Sequence, residues 1–216
     1  TVPTIAYGPD NPLFSRTGDA FAVSGAGVNT KLIAATRTNT QVAVFTTGDG
    51  SFFSANTVDV TTAPGGFAGL GLAAGGGDTF WAKSAGELLR KVFYDIPNGT
   101  NEVQAAINGA GGANIAIDNS NEFAATISSG DAPSNLRLSD IRNPSPNAVL
   151  LDQEFFGSDN ANANNAGAVA FDVAGGRIFA LDSNNGILAL KYAPRVKQNG
   201  NIITWTGPGA LQASAN

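Results

Sequence analysis

The chain has 216 residues, 12 Lys plus Arg against 17 Asp plus Glu, a net charge of −5, and no Cys, His or Met. That acidic balance excludes a protein built to grip nucleic-acid phosphates, which needs clustered cations. Absence of Cys rules out disulfides and thiolate metal sites; absence of His removes the commonest general base and every Ser-His-Asp or Cys-His mechanism.

Hydrophobic residues make up 43% and charged residues 13%, about half the usual charged share, so Asn, Ser, Thr and Gly must solvate the surface. No apolar run reaches the ~18 residues of a membrane span, and no basic-then-apolar leader opens the sequence. With Thr1 first and no Met, the chain reads as a processed product or an excerpt, and its composition as that of an exported bacterial or archaeal surface protein.

Taken from the start, Thr4 to Tyr7 and Leu13 to Ser15 read as strands of an incomplete neighbouring unit. Four copies of one pattern follow. Each has an alternating apolar strand, a small-residue turn, an apolar-Ala strand, another turn, and a further apolar strand. The first strands carry Phe21 and Val23, Leu70 and Leu72, Ile115 and Ile117, Val169 and Phe171. The second are Leu32-Ile33-Ala34-Ala35, Phe80-Trp81-Ala82, Phe123-Ala124-Ala125 and Ile178-Phe179-Ala180, repeating at a mean period of about 48 residues. The third carry Val42 and Val44, Leu88 and Val92, Leu136 and Leu138, Ile187 with Leu188 and Leu190. Fourth-strand candidates are weaker: Phe52-Phe53, Val149 to Leu151, and Ile202 to Trp205.

Two segments carry helix signals. Ser84-Ala85-Gly86-Glu87 has capping-box form ahead of Leu88, Leu89, Val92 and Phe93 at helical spacing, yet the repeat register predicts strand there. Asn101 to Ile107, closed by Asn108-Gly109, also suits a short helix. Asn185-Gly186 suits a type I′ hairpin turn. Asn160 to Asn165 reads as an exposed low-complexity loop, Arg195, Lys197 and Gln198 as lying in a loop, and Ala210 to Asn216 as a frayed tail or linker.

A sheet of three or four short strands cannot bury both faces alone, so the copies must stack or ring together. This predicts an all-β, β-propeller-like fold of about four blades, possessing three to four antiparallel strands each, as a complete or partial ring. It is read as a single domain over 1–216 with repeats at roughly 20–62, 66–108, 111–157 and 166–207.

Gly176 to Leu188, read as Gly-Arg-Ile-Phe-Ala-Leu-Asp-Ser-Asn-Asn-Gly-Ile-Leu, resembles the repeat of pyrroloquinoline-quinone-type β-propellers and is similar to the NHL-type repeat. The copy from Gly77 to Leu89 follows it more loosely. The resemblance implies a fold. Where quinone-type repeats place a late docking Trp, this chain has Ala189-Leu190-Lys191-Tyr192, and no cofactor residue carries over.

Asp118 and Asp172 each follow the first strand of a copy and so occupy equivalent places in adjacent blades. Carboxylates near a channel mouth suit Ca²⁺, while a strand-end Asp also accepts hydrogen bonds from its own turn. Asp182-Ser183-Asn184-Asn185-Gly186 starts like a calcium loop but lacks the downstream bidentate Glu, and reads as a turn. The Gly-Asp pairs at Gly18, Gly48, Gly77 and Gly130 fall at different places in the repeat and also read as turns. Gly75-Gly76-Gly77 and Gly109 to Gly112 lack a phosphate-loop setting. Asn98-Gly99-Thr100 is a formal glycosylation sequon. Glu102, Asp152 and Glu154 could supply paired carboxylates for glycoside hydrolysis, although nothing sets their separation and they read as solvated loop and strand residues. Trp81, Phe179 and Tyr192 could stack on a sugar ring, although core packing between blades accounts for Trp81 and Phe179.

The expectation is a non-enzymatic binding or scaffold module of an exported protein, recognising a protein or glycan partner through propeller loops, without nucleic acid, membrane span or resident cofactor. Alternatives are a Ca²⁺-dependent propeller hydrolase or lactonase held by Asp118 and Asp172, and a self-assembling surface-layer or filament subunit with open strand edges.

Overall fold

A computed structural model describes residues 17–36, 41–59, 71–83, 88–98, 100–112, 114–128, 133–142, 147–162, 166–199 and 202–205. The fold is all-β and propeller-like. Blade 1 comprises β1 (Thr17–Ser24), β2 (Lys31–Thr36), β3 (Gln41–Thr47) and β4 (Phe53–Asp59); blade 2 comprises β5 (Leu72–Gly76), β6 (Thr79–Ala82), β7 (Leu89–Asp95) and β8 (Thr100–Ile107). Blade 3 follows with β9 (Asn114–Asp118), β10 (Phe123–Ser128), β11 (Asn135–Asp140) and β12 (Val149–Phe155), and blade 4 with β13 (Gly167–Asp172), β14 (Arg177–Asp182) and β15 (Gly186–Lys191). Within each blade the strands pair antiparallel in chain order. β16 (Val196–Asn199) and β17 (Ile202–Trp205) form a separate hairpin. Among the described residues no helix is long and apolar enough to cross a membrane.

The blades stack through their first strands: β1 lies against β5, β5 against β9, and β9 against β13. Registers align one row of side chains across each blade: Ala22–Ile33–Val44, Ala73–Trp81–Lys91, Ala116–Ala125–Leu138 and Ala170–Phe179–Ala189. Every row begins with Ala on the strand nearest the neighbouring blade, where a small side chain permits close approach. In the first three blades this row turns toward the following blade. Ile33 and Val44 pack with Leu72 and Phe80, Trp81 packs with Ile115, and Ala125 packs with Ile178. Full burial of one such aliphatic or aromatic side chain contributes about 1.5–3 kcal/mol, so these three junctions hold the fold together.

Several expectations are corrected. In blade 3 the faces are displaced by one residue from the spacing alignment: Ala82 and Ala180 turn toward the preceding blade, whereas Ala125 turns toward the following one. Side chains alternate across a strand, so a slip of one residue exchanges the two faces. Asn101 to Ile107 belongs to β8, paired with β7, because this pairing seats Ile107 opposite Leu89 in the core. Ile202 to Trp205 pairs with β16 and leaves blade 4 with three strands; Lys197 and Gln198, read as loop, lie in β16. Gly18-Asp19 lies within β1.

The β14–β15 connection is not type I′. Asn185 N–H donates to the Asp182 carbonyl at 3.1 Å, and only Gly186, at φ 102°, has a positive φ. That is a three-residue loop, a turn followed by a left-handed glycine. Leu89–Asp95 is strand, as the repeat register requires. Ser84 to Glu87, Leu70, Thr4 to Tyr7, Leu13 to Ser15, Gly130-Asp131 and Ala210 to Asn216 lie outside the described residues.

Candidate functional site

Asp118 and Asp172 are the last residues of β9 and β13, the equivalent places that their spacing implied. Asp118 is buried. Its Oδ1 accepts the backbone N–H groups of Ser120 and Asn121 at 2.9 and 3.1 Å, and its Oδ2 accepts Asn121 Nδ2 at 2.7 Å and the Tyr192 hydroxyl at 2.8 Å. A carboxylate has about four acceptor positions, and protein donors take up four here. Asp172 Oδ1 accepts the Gly175 N–H at 2.9 Å. Both aspartates therefore brace their own turns. Both also act on Tyr192, whose phenol is pushed well above its ordinary pKa by burial, by the Asp118 hydrogen bond and by the two negative charges. Among the described residues no group of three or more carboxylates stands at metal-binding spacing.

Around this pair lies a staple between blade 3 and the segment after blade 4. Arg195 donates its backbone N–H to Asn121 Oδ1 at 2.8 Å and its Nε–H to the Asn121 carbonyl at 2.7 Å. Its guanidinium stacks 4.8 Å from the Phe123 ring centroid and forms an ion pair with Asp140 at 3.0 Å. Tyr192 meets Phe123 and Phe171 edge to face, at 6.0 and 5.3 Å. Sequence reading placed Arg195 in a loop because nothing local signals a partner 74 positions away.

Asp182 and its turn form a second buried polar knot. Asp182 Oδ1 accepts Asn162 Nδ2 at 3.0 Å, the Asn184 N–H at 3.0 Å and Asn185 Nδ2 at 3.1 Å. Asn160 donates its N–H to Asn185 Oδ1 at 2.6 Å, and Asn162 is itself buried. The segment expected to be an exposed loop thus caps the β14–β15 turn over Asn160 and Asn162.

Two grooves open at blade junctions. The first, of about 180 Å³ between blades 3 and 4, is lined by Leu136, Leu138, Asp152, Glu154, Lys191 and Tyr192 among others. Asp152 and Glu154 sit opposite Leu138 and Leu136, two residues apart on one face of β12. Glu102, the third candidate acid, is on β8 of blade 2 and is not brought to this groove.

The second groove, of about 290 Å³, follows the junction of blades 2 and 3. On its blade 2 side are Trp81, Lys91 and Gln104; on its blade 3 side are Asn119, Glu122 and Arg142. Trp81 is 5% exposed, with Lys91 Nζ 5.8 Å from its ring centroid. Its indole N–H is buried and, among the described residues, has no hydrogen-bond partner. Glu122 has φ 56°, the one positive value outside glycine among the described residues. A non-glycine residue in that region carries a backbone cost that its surroundings must sustain. Asn119 is held by donating Nδ2 to the Ala74 carbonyl at 2.8 Å, and Arg142 by a bidentate pair with Asp140, closest at 2.7 Å.

Of the three aromatic candidates, Trp81 and Tyr192 are buried, while Phe179 is 41% exposed instead of packed between blades. No family model matches the chain, and no curated protein matches it in sequence.

Proposed function

We propose that the chain is a non-enzymatic binding module of an exported protein, and that it takes a glycan in the groove between blades 2 and 3. The observation that carries this reading is the unpaired Trp81 indole N–H at a groove otherwise lined by Lys91, Gln104, Asn119, Glu122 and Arg142. A buried donor left without an acceptor costs about 1–3 kcal/mol, which a ligand hydroxyl would recover once binding draws the covering side chains aside. Amide, carboxylate and cationic groups lining the groove match the donor-and-acceptor pattern of sugar hydroxyls. The low content of charged residues fits export, and the likeness to quinone-type and NHL-type repeats belongs to this proposal as a repeat pattern without the cofactor.

The test is tryptophan emission of a Trp205→Phe chain, which leaves Trp81 as the sole reporter. Titration with neutral and uronic-acid-containing oligosaccharides is expected to shift the emission saturably, and Gln104→Ala is expected to weaken the response at least several-fold. An emission unchanged across the whole oligosaccharide panel would sink the reading.

A further inference from the structure

Blades 1 and 4 each turn one apolar face away from the succession of packed blades. On blade 4 the row Ala170–Phe179–Ala189 and its neighbour Ala168–Leu181–Ile187 form a continuous patch two residues deep and three strands wide. All three alanines are exposed, as are Phe179, Leu181 and Ile187, the last at 72%. On blade 1 the corresponding rows are Phe21–Ala34–Ala43 and Val23–Leu32–Phe45; the first strand is open, with Phe21 71% and Val23 50% exposed, whereas Leu32 and Ala34 are half-buried and Ala43 and Phe45 are buried. Contiguous apolar surface like that of blade 4 marks an interaction site.

The repeat itself indicates what covers it. Ala170–Phe179–Ala189 is the fourth instance of a row whose three counterparts, through Ile33, Trp81 and Ala125, are buried against the next blade. Val23–Leu32–Phe45 is in turn the first instance of the rows that receive a preceding blade, such as Phe171–Ile178–Leu190 in blade 4. At the internal junctions an alanine of one first strand meets a larger side chain of the next, as Ala22 meets Leu72 and Ala73 meets Ile115 and Ile117. The outer faces offer the same match, Ala168 and Ala170 on one side and Phe21 and Val23 on the other. Both stand exposed together, so neither covers the other within the chain.

We propose that the outer face of blade 4 docks along β1 of a second copy of this chain, through Phe21 and Val23, repeating between molecules the first-strand contact made three times inside one. Such contact is heterologous and head to tail: each copy uses two different surfaces, and assembly continues until a ring closes or a filament grows.

Sedimentation velocity across a range from low micromolar to high micromolar tests this. The unaltered chain is expected to pass from monomer to dimer and larger species. Phe21→Asp and Phe179→Asp change only exposed side chains, and each is expected to abolish self-association while keeping the β-sheet circular dichroism spectrum. An equimolar mixture of the two variants is expected to form a heterodimer that grows no further, because each retains the face that the other lost. Val23→Asp with Ile187→Asp provides a second pair should either first variant misfold. A monomer at every concentration, a single variant that still self-associates, or variants that fail to pair on mixing would each overturn the proposal.

Discussion

The Tyr192 hydroxyl donates to Asp118 Oδ2 at 2.8 Å across 74 positions of chain, joining the strand end of blade 3 to the residue that follows the last strand of blade 4. Phe123 and Phe171 hold the same ring edge to face, so the phenol is fixed by packing as well as by its hydrogen bond. Tyr192→Phe keeps that packing and removes one donor from a buried carboxylate. Urea unfolding is expected to show a loss of about 1–3 kcal/mol. An unchanged midpoint would mean that water replaces the hydroxyl.

Alkaline pH should act through the two buried phenols. Burial and the Asp78 charge push Tyr94 up to about 12, and Tyr192 is raised further. The folded state therefore retains both protons at a pH where the unfolded chain, with phenols near 10, has released them. Stability from this source is full below pH 10 and falls as pH rises through 10 toward 12. Phenolate absorbance of Tyr94 and Tyr192, read by difference against Tyr→Phe variants, should appear only together with loss of the native circular dichroism. Phenolate formation in a chain that is still folded at pH 10–11 would contradict the raised values.

Ile33 and Phe179 occupy equivalent places, one covered by blade 2 and the other uncovered. Ile33→Ala is expected to cost about 2–5 kcal/mol as a buried large-to-small change. Phe179→Ala, measured at concentrations where the chain is monomeric, is expected to stay within about 0.5 kcal/mol of the parent, as other surface changes do. Equal losses at the two positions would show that Phe179 is covered in the monomer.

Calcium should leave the melting temperature unchanged at millimolar concentration, because four protein donors already saturate Asp118 and Asp172 supports its own turn. A calcium-dependent rise that vanishes in Asp118→Ala or Asp172→Ala would restore the metal-dependent alternative.

Much of the candidate site lay beyond sequence reading for identifiable reasons. Trp81 was legible as a residue of the apolar-Ala strand, and its burial follows from that place. Its unpaired N–H was not legible, since the groove that Trp81 lines is completed by Asn119, Glu122 and Arg142, a blade further on. Arg195 and Asn162 looked like loop residues because their partners, Asn121 with Asp140 and Asp182, are distant in sequence. Glu122 gave no sign of its left-handed backbone, a conformation imposed by the turn from β9 to β10.

The sequence by itself determined that the chain is all-β, that it is built from four copies, and where turns separate most of its strands. Those properties depend on local alternation and on Gly, Asn and Asp at turns, and so are written within each copy. It also determined the equivalence of Asp118 and Asp172 at their strand ends. Tertiary structure alone decided which face of each strand meets which neighbour, because a slip of one residue exchanges the faces, as in blade 3. It alone decided that β17 leaves blade 4 for a hairpin with β16, since pairing depends on a partner and not only on propensity. And it decided that the same row of residues is core in three blades and surface in the fourth: burial is a property of the neighbour, and Phe179 has none within the described chain.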